Sequence, residues 1–167
     1  MTAPTDIDVE KCLASMTAAL RALLPRDPVM IGIHTGGAWV AARLHRALAL
    51  AEPLGTLDIS FYRDDFTRVG VNPQVRTSNL PVSIEDRHVL LVDDVLHTGR
   101  TIRAAMNEIF DYGRPASVTL AVLIERDGRE LPIEPAVVGE HVRLDAGQHL
   151  KLTGPEPLGL TVQESRT

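Results

Sequence analysis

Cysteine is nearly absent from this chain of 167 residues, where Cys12 stands alone. No intrachain disulfide can form, and no cysteine zinc site exists. Lysine is almost as scarce: Lys11 and Lys151 are the only lysines among 17 basic residues, and the formal net charge is −5. That balance argues against a strongly cationic nucleic-acid binder. The arginines that carry the positive charge suit bidentate recognition of phosphate and carboxylate. No apolar run reaches the roughly 18 residues of a membrane-spanning helix. Residues Met1 to Glu10 hold three acidic side chains and no basic one, unlike a secretory leader, so the expected compartment is the cytoplasm. Twelve glycines without regular spacing exclude a collagen-like chain. The six histidines show no metal-ligand spacing on one helix, so no side-chain metal site is assigned. Walker A, Gly-x-Ser-x-Gly and Gly-x-Gly-x-x-Gly patterns are all missing.

What remains is ordinary globular composition, 44% hydrophobic and 23% charged, enough for a single domain over residues 1–167. Val9, Cys12, Leu13, Met16, Leu20 and Leu23 recur at three- and four-residue steps and predict a helix from about Asp8 to Leu24. Val29 to Ile33, His88 to Val92 and Ser117 to Ile124 read as buried strands. Ala38 to Leu50 and Thr101 to Phe110 read as helices, the second stopped by Gly113. Leu57, Ile59 and Phe61 alternate with polar neighbours, which predicts a half-buried strand. Asp93 to Arg100 reads as a polar turn, and Ala136 to Val138 and Leu158 to Val162 as short strands of a small cap. The order strand–helix–strand–loop–strand–helix–strand predicts an α/β fold with a central, mainly parallel sheet flanked by helices.

The richest stretch is Val92-Asp93-Asp94-Val95-Leu96-His97-Thr98-Gly99-Arg100-Thr101. An apolar strand delivers two adjacent carboxylates at its C-terminal end, where open α/β sheets bind ligands. A hydroxyl, a glycine and a second hydroxyl follow, and a helix starts at once. Helix N-termini present N–H groups and a positive dipole end to phosphate. Gly99 allows close backbone approach. The turn is suited to a phosphate, and the carboxylates to sugar hydroxyls or a magnesium ion. His97 can donate into the same turn. Trp39 is expected in the core or at a subunit contact.

This run resembles the phosphoribosyl pyrophosphate (PRPP) motif of type I phosphoribosyltransferases. Asp58 to Asp65, Gly113-Arg114-Pro115, Leu123 to Arg126 and Arg129-Glu130-Leu131-Pro132-Ile133 extend the resemblance to the pyrimidine operon regulator family PyrR, over about Ile31 to Gly139. It implies a type I phosphoribosyltransferase fold with a small C-terminal hood, and conversion of uracil and PRPP to UMP and pyrophosphate with Mg²⁺ carried on PRPP. It implies that Asp93 and Asp94 lie under the ribose hydroxyls as catalytic groups, with Leu96 to Thr101 around the 5′-phosphate. His34-Thr35-Gly36-Gly37 takes the place of the pyrophosphate loop, where many members carry Lys-Thr-Arg-Gly; two basic side chains are thus replaced.

The loop from Arg63 to Pro81 corresponds to one that closes over the site in related transferases. Arg63, Arg68 or Arg76 could reach the leaving group, and Arg63 is taken as the catalytic one. The hood, Glu125 to Gly139, brings Arg126 and Asp127 near the base, while Arg129-Glu130 reads as an exposed ion pair worth little. Three alternatives stay open: a PRPP- or UMP-sensing RNA-binding attenuation protein, a nucleotide sensor with a vestigial catalytic loop, and a purine phosphoribosyltransferase. RNA binding is the weaker reading on charge, with Arg21, Arg26, Arg43, Arg46, Arg126, Arg129 and Arg143 as its candidate contacts. The resemblance also implies a homodimer or higher assembly, and no membrane partner is expected.

Overall fold

The computed structural model describes residues 3–59 and 78–165. Phe61, Tyr62, Arg63, Arg68 and Arg76, with most of the loop read from Arg63 to Pro81, lie outside the described residues.

Helix α1 (Val9–Leu23) starts where Asp8 caps it, Oδ1 accepting the Lys11 N–H at 3.1 Å. It leads into β1 (Val29–Ile33), all five residues of which are buried. Helix α2 (Gly36–Leu48), β2 (Gly55–Leu57), β3 (His88–Leu96), α3 (Arg100–Tyr112), β4 (Ser117–Arg126) and β5 (Val137–Val142) follow. The five strands form one sheet in the order β2–β1–β3–β4–β5, and every ladder is parallel. From β1 the chain steps one way to β2 and the other way to β3. The carboxyl ends of β1 and β3 therefore flank the point where the strand order reverses, the usual ligand crevice of such sheets.

Successive β3 side chains face opposite ways and feed two cores. Leu90 and Val92 pack with Met16, Leu20 and Leu44 of α1 and α2. Val89 and Leu91 pack with Ile102 and Ile109 of α3. Coverage on both faces explains why β1, β3 and β4 read as continuous apolar runs. No helix among the described residues is long and apolar enough to cross a membrane.

The structure differs from sequence expectation in three places. Asp93 to Leu96 does not turn. It continues β3, paired with Val122 to Glu125 of β4, and only residues 97–99 make the turn. At 57–59 there is no half-buried alternation, because Leu57, Asp58 and Ile59 are all buried. The chain returns across this edge: Ser78 Oγ accepts the Asp58 N–H at 3.0 Å and donates to Glu108 Oε1 at 2.7 Å, and Asn79 exchanges two backbone bonds with Thr56. Finally, Ala136 to Val138 does not belong to a cap. Val137 and Val138 open β5, which pairs with β4 and packs against α1.

The separate C-terminal element is a hairpin of β6 (Gln148–Thr153) and β7 (Gly159–Glu164). Its Leu152, with Leu158 from the connecting turn, enters the α1–α2 core. At Gly154 a Cβ would lie 3.2 Å from the Trp39 ring, so hairpin and α2 meet there in close contact.

Cys12 sits at the α1–β5 seam, where a Cβ on Gly139 would come within 3.0 Å of its Cβ. It is 5% exposed, and burial, then the Glu140 and Asp8 charges, raise its thiol above the ordinary value. A thiolate-directed reagent is expected to leave Cys12 unmodified in the native protein at pH 8 and to label it fully in denaturant. Rapid native labelling, followed by mass spectrometry, would show that α1 does not stay docked on β5.

Candidate active site

Two loops meet at the strand-order reversal. One joins β1 to α2, residues 34–35 and the opening Gly36-Gly37 of the helix. The other joins β3 to α3, residues 97–99.

The acidic pair lies near the C-terminal end of β3, with Val95 and Leu96 still paired to β4 beyond it. Asp93 is buried, and its Oδ1 accepts the Asp94 N–H at 2.9 Å. Asp94 is half-buried, and its Oδ1 accepts the Val95 N–H at 2.7 Å. Each carboxylate is thus aimed by the next peptide, which holds like charges apart in fixed directions. The glycine loop lies against both. A Cβ on Gly36 would collide with Asp94 Oδ2, and one on Gly37 would lie 2.9 Å from Asp93 Oδ1 and from the Val92 carbonyl. Only glycine lets this backbone come so close. The His34–Thr35 peptide is cis, and the His34 N–H donates to the Leu57 carbonyl at 2.9 Å.

The 97–99 turn borders a cavity of about 140 Å³ lined by Asp93, Thr98, Gly99 and Thr101 among others. Gly99 adopts φ +95°, a left-handed conformation that glycine takes without strain. No side chain caps α3 in the usual N-cap manner; Thr98 Oγ1 accepts the Arg100 N–H at 3.2 Å. The α3 N-terminus therefore presents partial positive charge to the cavity. Of the remaining residues read as part of this site, Val92 is core, and the Arg100 side chain is turned to Glu130, Nε to Oε2 2.9 Å. Neither lines the cavity.

The His97 side chain runs from this turn to the segment that follows β4. A Cβ on Gly128 would sit 2.9 Å from its Nε2. Burial, then the neighbouring Arg126 charge, pushes the imidazole below its ordinary value. Arg126 reaches the Gln148 carbonyl with Nη1 at 3.4 Å, while its Nε is buried without a hydrogen-bond partner. Asp127 is engaged structurally: Oδ1 accepts the Leu144 N–H at 3.3 Å, and Oδ2 is 4.0 Å from Arg143 Nε.

Within the segment read as a hood over the base, residues 129–133 pack on the 97–99 turn. Glu130 N–H and Leu131 N–H both donate to the Thr98 carbonyl at 3.0 Å, and Arg129 Nε donates to the His97 carbonyl at 3.0 Å. Arg129 and Glu130 are not paired with each other; Arg129 meets Glu125 at 3.6 Å and Glu130 meets Arg100. Sequence reasoning missed these contacts. The left-handed Gly99 thirty residues upstream was the available signal, because its bare face requires a neighbour such as Ile133, whose Cγ1 would lie 3.0 Å from an added Cβ.

Among the described residues, no group of three or more His, Cys, Asp or Glu side chains could hold a metal ion. Two carboxylates facing a glycine backbone fit an ion that arrives with most of its ligands already supplied by a phosphorylated substrate, as Mg²⁺ commonly does.

Comparison with known proteins identifies the family. The family model described as phosphoribosyl transferase domain matches residues 15–148. A "Bifunctional protein PyrR" from Nitrosococcus oceani is 54% identical over 166 residues, covering 96% of this chain and 94% of its own. The Pseudomonas paraeruginosa protein of the same name is 59% identical over 152 residues, covering 89% of each chain. Among solved structures, a hypoxanthine phosphoribosyltransferase from Staphylococcus aureus superimposes with a TM-score of 0.64 at 21% identity, covering 81% of this chain and 74% of its own. That likeness is one of fold. On the family match and the two PyrR relatives, the chain belongs to the phosphoribosyl transferase family and, within it, to the PyrR proteins.

Proposed function

We propose that this protein is a uracil phosphoribosyltransferase, joining uracil to the ribose of PRPP to give UMP and pyrophosphate. The observation that carries the reading is the direct packing of the glycine loop 34–37 on the carboxylates of Asp93 and Asp94, beside a cavity at the α3 N-terminus. The cavity takes the 5′-phosphate. The carboxylates lie where ribose hydroxyls would, and the glycine backbone faces the diphosphate. In the reaction the N1 atom of uracil bonds to C1 of the ribose, the bond from C1 to the diphosphate oxygen breaks with its electron pair, and the N1 proton is lost. Positive charge builds on the ribose ring, and Asp93 and Asp94 stabilise it without forming a covalent intermediate. Mg²⁺ bound to PRPP would neutralise charge on the leaving diphosphate.

Arg126 is the side chain we assign to the base. Its guanidinium stands at the end of the β4 ladder beside His97 of the 97–99 turn and is held by one long bond, Nη1 to the Gln148 carbonyl at 3.4 Å, which leaves it donors to offer a pyrimidine carbonyl. Asp127 is occupied by Leu144 and Arg143. Purine use is the weaker alternative. The purine enzymes are 20% to 26% identical to this chain, against more than half for the PyrR proteins.

Purified protein with uracil, PRPP and Mg²⁺ is expected to form UMP, with hypoxanthine and orotate unreactive beside it. Product from hypoxanthine in preference to uracil would overturn the base assignment. Saturable PRPP or UMP binding without turnover would replace the enzyme with a sensor.

A second role, as an RNA-binding regulator of pyrimidine genes, is suggested by the word "bifunctional" in the relatives' names. Its arginine candidates are partly committed elsewhere. Arg43 pairs with Glu10 at 2.6 Å, Arg129 with Glu125 and Arg143 with Asp127. The reading also includes a homodimer or larger assembly, which light scattering measures.

A further inference from the structure

We propose that residues 129–133 form a clamp that shapes the phosphate turn, and that Arg129 is its positioning residue. This rests on the phosphoribosyl-transfer reading and adds to it a part for the Arg-Glu-Leu-Pro-Ile segment, none of which lines the cavity.

Two of the turn's three carbonyls are held from one side, the third, of Gly99, accepting from Arg103 of α3. His97 gives its carbonyl to Arg129, and Thr98 gives its carbonyl to the N–H groups of Glu130 and Leu131. The peptides joining 97 to 98 and 98 to 99 are trans, and a trans peptide sends its N–H opposite its C=O. Fixing these two carbonyls on the clamp therefore turns the N–H groups of Thr98 and Gly99 away from it. Thr98 and Gly99 also line the cavity. The clamp thus orients the donors that a phosphate would meet there.

Arg129 locks the clamp itself. Its guanidinium donates from Nε to His97, donates from Nη1 to the Ile133 carbonyl within the clamp, and lies 3.6 Å from Glu125 through Nη2. Three directions from one rigid fork tie turn, clamp and β4 together, which a lysine cannot reproduce. Ile133 and Leu131 close over Gly99, at 3.0 and 3.4 Å from where a Cβ would stand. Glu130 takes the Arg100 side chain away to the exposed side.

The test is steady-state kinetics of Arg129→Ala and Arg129→Lys with PRPP and uracil varied in turn, beside calorimetric PRPP binding and thermal melts. Arg129→Ala is expected to raise KM and Kd for PRPP about tenfold, with KM for uracil within about twofold and kcat little changed, since misdirected donors weaken binding of one group. Arg129→Lys is expected to recover part of the PRPP affinity. Unchanged PRPP affinity in a folded Arg129→Ala protein overturns the clamp. Where that variant melts below the assay temperature, Ile133→Ala decides: a selective rise in KM for PRPP supports the clamp, and wild-type KM overturns it. Failure of the wild-type protein to bind PRPP would instead reject the transferase reading, a result distinct from either.

Discussion

Replacing both carboxylates, as Asp93→Asn with Asp94→Asn, is expected to reduce UMP formation by at least about a thousandfold while leaving the fold intact. Asparagine keeps the shape and an acceptor oxygen. The bonds from the Asp94 and Val95 N–H groups, at 2.9 and 2.7 Å, can therefore survive the change. What disappears is negative charge under a ribose that becomes positive in the transition state. Two adjacent acids in one strand repel each other, so the double variant should melt at the wild-type temperature or slightly above it. A matched melting curve with lost turnover and lost PRPP binding is the predicted outcome. Retained kinetics would remove the acidic pair from the chemistry.

Gly36→Ala and Gly37→Ala are expected to fail in different ways. The three atoms nearest the new methyl at 36 all belong to the Asp94 side chain. A half-buried side chain can rotate aside, so stability should fall by less than about 1 kcal/mol. The displaced carboxylate, however, no longer sits where the ribose needs it, and kcat/KM should drop about a hundredfold or more. At 37 the methyl meets main chain, the Val92 carbonyl at 2.9 Å and Asp93 Cα at 3.0 Å. Backbone cannot step aside cheaply, and overpacking of this kind costs about 1–3 kcal/mol. Denaturant unfolding and initial rates separate the two effects. An inactive but stable Gly36→Ala beside a destabilised Gly37→Ala is the expected pattern; equal losses of stability would contradict it.

The parts of this architecture legible in the sequence were those carried by local pattern. Val29 to Ile33 and the strand from His88 read as buried because apolar cores lie on both faces. The change from strand to helix within the Asp93–Thr101 run was legible because an apolar run, acids, hydroxyls and glycine fall within ten residues, though the turn itself is confined to 97–99. Long-range pairing hid the remainder. Asp58 looks like the solvent side of an alternating strand, yet it is buried where Ser78, twenty residues on, returns to bond its N–H. Val137-Val138 looks too short for a sheet member, but the ladder to Ala121 and Val122 of β4 extends it. Arg129 looked like one half of a surface ion pair because its acceptors, His97 and Ile133, are set by a turn that no periodicity marks.

The contact between Gly154 and the Trp39 ring also makes the protein its own optical probe. Trp39 is the only tryptophan, lies two residues into α2 from Gly37, and borders the turn between β6 and β7. Its emission therefore comes from a single site, at the point where the C-terminal hairpin leans on the helix that grows from the glycine loop. Undocking the hairpin would hydrate that ring and shift its emission to the red while the parallel sheet stayed folded, so one spectrum separates loosening of the hairpin from loss of the whole structure.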